Sequence, residues 1–200
     1  MKAGNGRIII AASSNSVTNA EGNNTHALEV LAYPGYPTLY ESYSSHSQAI
    51  SMVGTSTATT SDTFGVSFLR GTDASNTVIS SKGTGGVLIA GSSSQTDVQP
   101  VRFDKVTIHA VTSSIVIEAR GTGTTNDKSI LHFLDTSSII GASSGLTSSA
   151  NIILRADEYS GWLGTLSLST SGKVTIEPYN NSPSNTFSLL PFFTPSAAVT

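Results

Sequence analysis

The stretch ANIILRADEYSGWLGTLSLSTSGKVTIEPY, residues Ala150–Tyr179, contains three short strand patterns separated by turn residues. In the first pattern Ile152 and Leu154 fall on one face, and in the last Val174 and Ile176 do. Alternation of aliphatic residues with small or charged ones is typical of half-buried strands. Glycines between the patterns provide the turns. The stretch therefore predicts consecutive short strands, each with one apolar face.

The same apolar-x-apolar block recurs along the chain. Its clearest copies begin at Ile8, Leu28, Ile50, Val66, Val87, Val106, Ile130, Ile152 and Val174. A step that drifts around 20 residues suits one coil of a parallel β-helix per copy. We therefore predict an all-β fold, a parallel β-helix (β-solenoid) of roughly nine coils, over residues 1–180. Residues 181–200 are interrupted by prolines and are predicted to be a fraying tail or the join to a further unit.

Composition excludes several classes of partner. The 200-residue chain has a net charge of −3, only 12% of its residues are charged, and it has no cysteine. Without a run of Lys or Arg, nucleic acids and anionic membranes are poor partners, and disulfides and thiolate metal sites are not available. No run approaches the roughly 18 apolar residues of a membrane span. Because no leader and no cap precede Ile8, we expect either a cytoplasmic protein or, preferably, an internal piece of a longer secreted chain.

Residues 33–47 interrupt the strand pattern. Pro34 and Pro37 predict that a loop leaves the coil here. We predict that a possible binding surface is formed by four tyrosines of this loop and by one tryptophan at a later corner. These residues are Tyr33, Tyr36, Tyr40, Tyr43 and Trp162. Tyrosine offers a flat apolar face with a polar tip, and tryptophan can stack on a sugar. Two interpretations remain open: a recognition surface, or aromatic side chains that cover an apolar flank and a corner.

Catalytic and metal-binding patterns are not found. The four histidines share no ligand spacing with one another or with a carboxylate, so no metal or cofactor is expected. Asp157 and Glu158 are adjacent, which would direct them to opposite faces of a strand. Glu29 and Glu118 occupy the same position within their blocks, but they are predicted to lie several coils apart. We therefore expect no catalytic residues and no enzyme.

Three segments carry a resemblance to a known family: Ala150–Asp157, Gly164–Leu168 and Ser171–Tyr179, the last ending in Val-Thr-Ile-Glu-Pro-Tyr. They resemble the repeats of filamentous-haemagglutinin-type adhesins, the exoproteins of bacterial two-partner secretion. The resemblance implies a right-handed parallel β-helix that forms an extended shaft outside the cell. It implies no catalytic residues.

These observations favour a non-enzymatic structural or adhesive shaft of a secreted or bacterial cell-surface protein. Its expected partners are a host-surface glycan or protein and the neighbouring repeats of a parent chain. The alternative is a carbohydrate-active β-helix protein, either a polysaccharide lyase or hydrolase or a phage-tail-like glycan binder.

Overall fold

A computed structural model describes residues 1–14, 26–32, 37–57, 64–70, 76–94, 100–121, 130–133, 138–141, 147–161, 166–179 and 193–195. The described residues form seventeen β-strands. The strands of the first half are β1 (Ile8–Ser14), β2 (His26–Ala32), β3 (Thr38–Ser42), β4 (Gln48–Ser56), β5 (Phe64–Arg70), β6 (Thr77–Ser81), β7 (Gly86–Ser93) and β8 (Val101–Phe103). Those of the second half are β9 (Val106–Ala110), β10 (Ile115–Gly121), β11 (Ile130–Phe133), β12 (Ser138–Gly141), β13 (Ile152–Arg155), β14 (Glu158–Gly161), β15 (Leu166–Ser169), β16 (Val174–Glu177) and β17 (Phe193–Pro195).

The strands form three sheets, and every described pairing between strands is parallel. The first sheet has the order β1-β4-β7-β10-β13-β16, the second β14-β11-β8-β5-β2, and the third β17-β15-β12-β9-β6-β3. Except for β17, each strand thus pairs with the strand three places away in the chain. The predicted all-β class with parallel strands is confirmed.

Pairing in register places like side chains side by side across a sheet. In the first sheet, one buried column consists of Ile8, Ile50, Val87, Ile115, Ile152 and Val174. In the second sheet, the rings of Phe68, Phe103 and Phe133 stack with centroids 5.3 and 5.6 Å apart. Apolar side chains from all three sheets form a single core. Burial of each large side chain stabilises the fold by about 1.5–3 kcal/mol.

The first and second sheets approach each other closely at two glycines. A Cβ on Gly54 would lie 1.9 Å from the carbonyl oxygen of Gly65, and a Cβ on Gly91 would lie 2.1 Å from that of Pro100. Backbone therefore meets backbone at this corner, which explains why the small residue recurs at the same position of β4 and β7.

Each recurring block corresponds to one strand, so the number of blocks is not the number of coils. Ile8 pairs with Ile50 and not with the next copy, Leu28, which lies on β2 in the second sheet. Val106, in turn, begins β9 of the third sheet. The expectation of one coil per copy is corrected, because the chain forms strands in the other two sheets before it returns to the first sheet at Ile50, the second copy after Ile8. No number of coils follows from nine copies.

The predicted loop over residues 33–47 contains a strand. β3 begins directly after Pro37, so Pro37 does not have to donate a hydrogen bond within the strand, and the expected absence of a strand there is corrected. Pro34 lies outside the described residues. Residues before Ile8 also pair with β3: Ala3 N donates to Glu41 O at 2.9 Å, and Glu41 N donates to Met1 O at 3.0 Å. The expectation that nothing covers a sheet edge before Ile8 is therefore wrong for the third sheet.

The C-terminal segment 181–200 is described only at β17. Phe193 is the register partner of Leu166 on β15. The remaining residues of that segment lie outside the described part of the chain. Among the residues that are described, no helix has the length and apolar character that crossing a membrane requires.

Candidate binding surface on the first sheet

Side chains that alternate with the buried columns of the first sheet form its outer face. One outward column runs Ala11, Val53, Ala90, Glu118, Arg155 and Glu177. The next runs Ser13, Thr55, Ser92 and Arg120. Neighbours in a column lie about 4.8 Å apart because that is the spacing of paired strands. The core thus fixes which polar side chains meet on the outside.

Charges of opposite sign follow one another in the first of these columns. Arg155 Nη1 donates to Oε1 of Glu118 at 2.5 Å, and Arg155 Nε donates to Oε1 of Glu177 on the other side. The hydrogen bonds with Glu177 and then with Glu118 raise the pKa of Arg155 above its usual value. One guanidinium therefore joins three strands and pairs with two carboxylates, which leaves the three residues with a net charge of −1.

A depression of about 220 Å³ lies beside this column of charged residues, over β4 and β7. Small outward residues on these two strands form its floor. Longer side chains farther along the sheet rise above them and form its wall. The residues that line it are Val53, Gly54, Thr55, Ala90, Gly91, Ser92, Glu118, Arg120 and Tyr179. We name it the first-sheet depression.

Arg120 and Tyr179 form the wall of the first-sheet depression. The guanidinium carbon of Arg120 lies 5.6 Å from the centroid of the Tyr179 ring. Arg120 is exposed, and within the described residues its guanidinium has no hydrogen bond and no ion pair. On the floor, the Ser92 hydroxyl donates to Thr55 Oγ1 at 3.1 Å. The depression therefore combines a cation held over an aromatic ring with two hydroxyls.

The structure separates the aromatic residues predicted to form a binding surface. Tyr40 lies on β3, is partly buried and packs against the core, and burial raises the pKa of its phenol. Tyr43 is 47% exposed. Tyr33, Tyr36 and Trp162 lie outside the described residues. Of the two tyrosines of the predicted binding surface that the structure describes, Tyr40 packs against the core and Tyr43 is open to solvent.

Tyr43 is next to a buried carboxylate, that of Glu41. Lys82 Nζ lies 2.5 Å from Glu41 Oε2, and Lys2 Nζ lies 3.6 Å from Oε1. Hydrogen bonding from Lys82 lowers the pKa of Glu41 against the opposing effect of burial, and Lys2 and Tyr43 contribute in the same direction. The same contact raises the pKa of Lys82. This cluster fastens the start of the chain to β3 and β6.

The outer face of the second sheet carries a separate set of polar residues. His132 on β11 is in register with Arg102 on β8, and burial followed by the charge of Arg102 lowers the pKa of His132 to about 4. Arg102 also lies over the ring of Phe64, at 5.1 Å. His26 Nε2 is 3.1 Å from Oε2 of Glu29. Phe64 and His132 are buried on this face, whereas Glu29 is exposed.

Carboxylates of the predicted column do not meet. Glu29 lies on β2 of the second sheet and Glu118 on β10 of the first, so their expected shared column is wrong. Asp157 is buried, and the side chain of Glu158 lies outside the description. In the described part of the chain, no three His, Asp or Glu side chains come together as a metal site would require.

From the sequence, Glu118 was compared only with Glu29, and Arg155 and Glu177 were not singled out, although a signal that connects the three exists. They are the fourth residues of the blocks Ile115–Glu118, Ile152–Arg155 and Val174–Glu177. Alignment of these blocks by register rather than by order along the chain brings the three charges into one column.

Comparisons with protein-family models, with curated proteins and with solved structures found no match to this chain.

Proposed function

We propose that this chain is a right-handed parallel β-helix that serves as a non-enzymatic structural and adhesive shaft of a secreted or cell-surface protein. The observation that supports it most is the pairing of each strand with the strand three places away, in parallel and in register. Parallel connections of this kind are almost always right-handed. Six strands in the first sheet, at about 4.8 Å each, give a height of about 25 Å.

A shaft is favoured because each layer buries its apolar side chains against the layers next to it. Such an arrangement can be extended by adding layers, and its stability accumulates with their number. The low content of charged residues, 12%, leaves an outer surface made largely of small polar side chains. We propose a host-surface glycan or protein as the partner of that surface, with neighbouring repeats of a parent chain at its ends.

A carbohydrate-active enzyme is the second candidate, and one observation favours it. Glu118 and Glu177 share an outward column two strands apart, which corresponds to about 9.6 Å and is close to the separation in inverting glycosidases. However, Arg155 lies between them and contacts both. An inverting glycosidase keeps the space between its two carboxylates open for the attacking water, so a guanidinium in that position is incompatible with this mechanism. We therefore propose binding without turnover.

The proposal is tested by measuring both adhesion to surfaces and turnover of polysaccharides. Residues 1–200 displayed on a non-adherent bacterium are expected to increase its retention on host-cell monolayers and on immobilised polysaccharides. The purified protein is expected to release no reducing ends and no unsaturated products from pectic, alginate and cellulose-type substrates. Release that is lost in Glu118→Gln or Glu177→Gln would establish the enzyme instead, and no gain in retention would contradict the adhesive role.

A further inference from the structure

We infer that the first-sheet depression binds one acidic sugar unit, a uronate or another carboxylated pyranose, with Arg120 holding its carboxylate. The site goes beyond the shaft role, on which it rests only for its biological purpose. Four features carry the inference: the cation, its ring support, a neighbouring carboxylate and the size of the space.

Arg120 provides the anion-binding group. Its guanidinium is exposed and, among the described residues, is not engaged by any carboxylate, whereas Arg155 in the adjacent column contacts two. A guanidinium presents a planar set of donors that matches a carboxylate through two parallel hydrogen bonds. The Tyr179 ring, 5.6 Å from the guanidinium carbon, supports the side chain through a cation–π contact and narrows its range of orientations. Less conformational freedom is then lost when the ligand binds.

Glu118 distinguishes a sugar acid from a simple anion. Arg155 contacts its Oε1 atom, and Glu118 lines the first-sheet depression, where its second carboxylate oxygen can accept a hydrogen bond from a ligand hydroxyl. The hydroxyls of Thr55 and Ser92 on the floor can donate to or accept from a second one. A ligand with one carboxylate and several hydroxyls on a single small ring satisfies all of these groups. A second negative charge on the same ring would be repelled by Glu118.

The size of the space limits the ligand to a single unit. At about 220 Å³ the depression is smaller than the pockets of drug-sized ligands, which begin at about 300 Å³. Its floor is lined by Ala90 and Gly91, against which the apolar face of a pyranose ring can lie. Because the depression is open along the outer face, the neighbouring units of a longer polysaccharide can continue past it.

The experiment is a titration of the 200-residue protein with tetragalacturonate, followed by calorimetry and by amide chemical shifts. We expect a dissociation constant in the micromolar to millimolar range, shifts centred on Thr55, Ser92 and Arg120, and affinity that weakens with added salt. Arg120→Gln is expected to weaken binding at least tenfold. Its control is Arg7→Gln, which removes another exposed arginine, one that donates to Gln48 O near the opposite ends of these strands, and is expected to leave the affinity unchanged.

Neutral cellotetraose, acetate, phosphate and an acidic peptide are titrated in parallel. Equal affinity for cellotetraose would overturn the role of the carboxylate, and stronger binding of phosphate or of the peptide would overturn the assignment to a sugar acid. If Arg120→Gln fails to fold, the chemical-shift map of the unaltered protein decides the site. Absence of uronate binding with intact cell retention would overturn this site and leave the adhesive shaft standing. Uronate binding without retention on host cells would support this site and contradict the adhesive role.

Discussion

Nη1 of Arg155 lies 2.5 Å from Oε1 of Glu118, although 37 residues separate them in the chain. The two residues are register partners on β13 and β10. Their contact is therefore a consequence of strand pairing, since any register that buries Ile152 and Leu154 against Ile115 and Ile117 also brings this pair together.

Arg155→Gln should destabilise the protein modestly. The side chains involved are between 24% and 39% exposed, so solvent screens the attraction, and we expect a loss of about 1 kcal/mol in the free energy of unfolding. Urea denaturation at low salt and at 1 M salt measures it, and the difference should shrink at high salt. Lys173→Gln removes an exposed charge nearby as the control. If both variants have the same urea midpoint at low salt, the ion pairs of Arg155 do not contribute to stability.

Val174→Asp should be far more damaging than Thr175→Asp. Val174 is 1% exposed and lies in the apolar column, whereas Thr175 points outward. An unpaired charge in the core adds a desolvation cost to the lost burial, for a total of about 3 kcal/mol or more. Thermal unfolding followed by circular dichroism compares the two variants. Equal melting temperatures would contradict the register of β16.

Gly54→Ala should destabilise through steric overlap. The added methyl would meet the Gly65 carbonyl at 1.9 Å, and backbone cannot move aside as a flexible side chain does. We expect a loss of about 1–3 kcal/mol, measured by chemical denaturation. The matched change is Ala119→Gly in the same column, where the methyl is already accommodated. A neutral Gly54→Ala would mean that the two sheets are further apart at this corner.

Stability should fall with acidification through the titration of His132. Its folded pKa of about 4 lies below the ordinary 6.5, so the unfolded chain binds more protons between these values. The contribution of the neutral ring is complete above pH 6.5 and is lost as the pH falls to about 4. After allowance for solvent screening we expect about 2 kcal/mol.

The variant His132→Asn isolates this contribution from that of the carboxylates, which also titrate in acid. Denaturation midpoints of the two proteins at pH 7, 5.5 and 4 should give curves that converge as the pH falls. Parallel curves would show that His132 is not the group responsible.

Tyr40 and Tyr43 should respond differently to truncation. Tyr40→Ala removes a ring that packs against the core and should lower the melting temperature clearly. Tyr43→Ala removes a ring that is 47% exposed and lies 5.8 Å from Lys82 Nζ, for which we expect about 1 kcal/mol or less. Retention on host-cell monolayers then tests recognition: a loss in Tyr43→Ala alone supports a binding role for this residue. Unchanged retention would indicate that Tyr43 has only a packing role beside Glu41.

The strands were predictable because local alternation decides which side chains are buried. The inward positions of Ile152, Leu154 and Val174 are confirmed, as is the parallel all-β class. The assignment of blocks to sheets was not predictable from spacing alone, since Leu28 and Ile50 look alike although they belong to different sheets. For the same reason the first-sheet depression could not be predicted: its parts become neighbours only once the register is known. Tyr179 and Arg120 are 59 positions apart in the sequence and carry no shared motif.

The distance along the chain between register partners in the first sheet is far from constant. From Ile8 to Ile50 it is 42 residues, and from Ile152 to Val174 it is 22. The paired columns are nevertheless continuous apart from one register shift between Gln48 and Ile50, so nearly all of the variation in length falls between the strands. The fold can therefore act as a carrier for foreign sequence. Epitopes or affinity tags exchanged into a connection of this chain would be displayed at a spacing set by the strands, without redesign of the core.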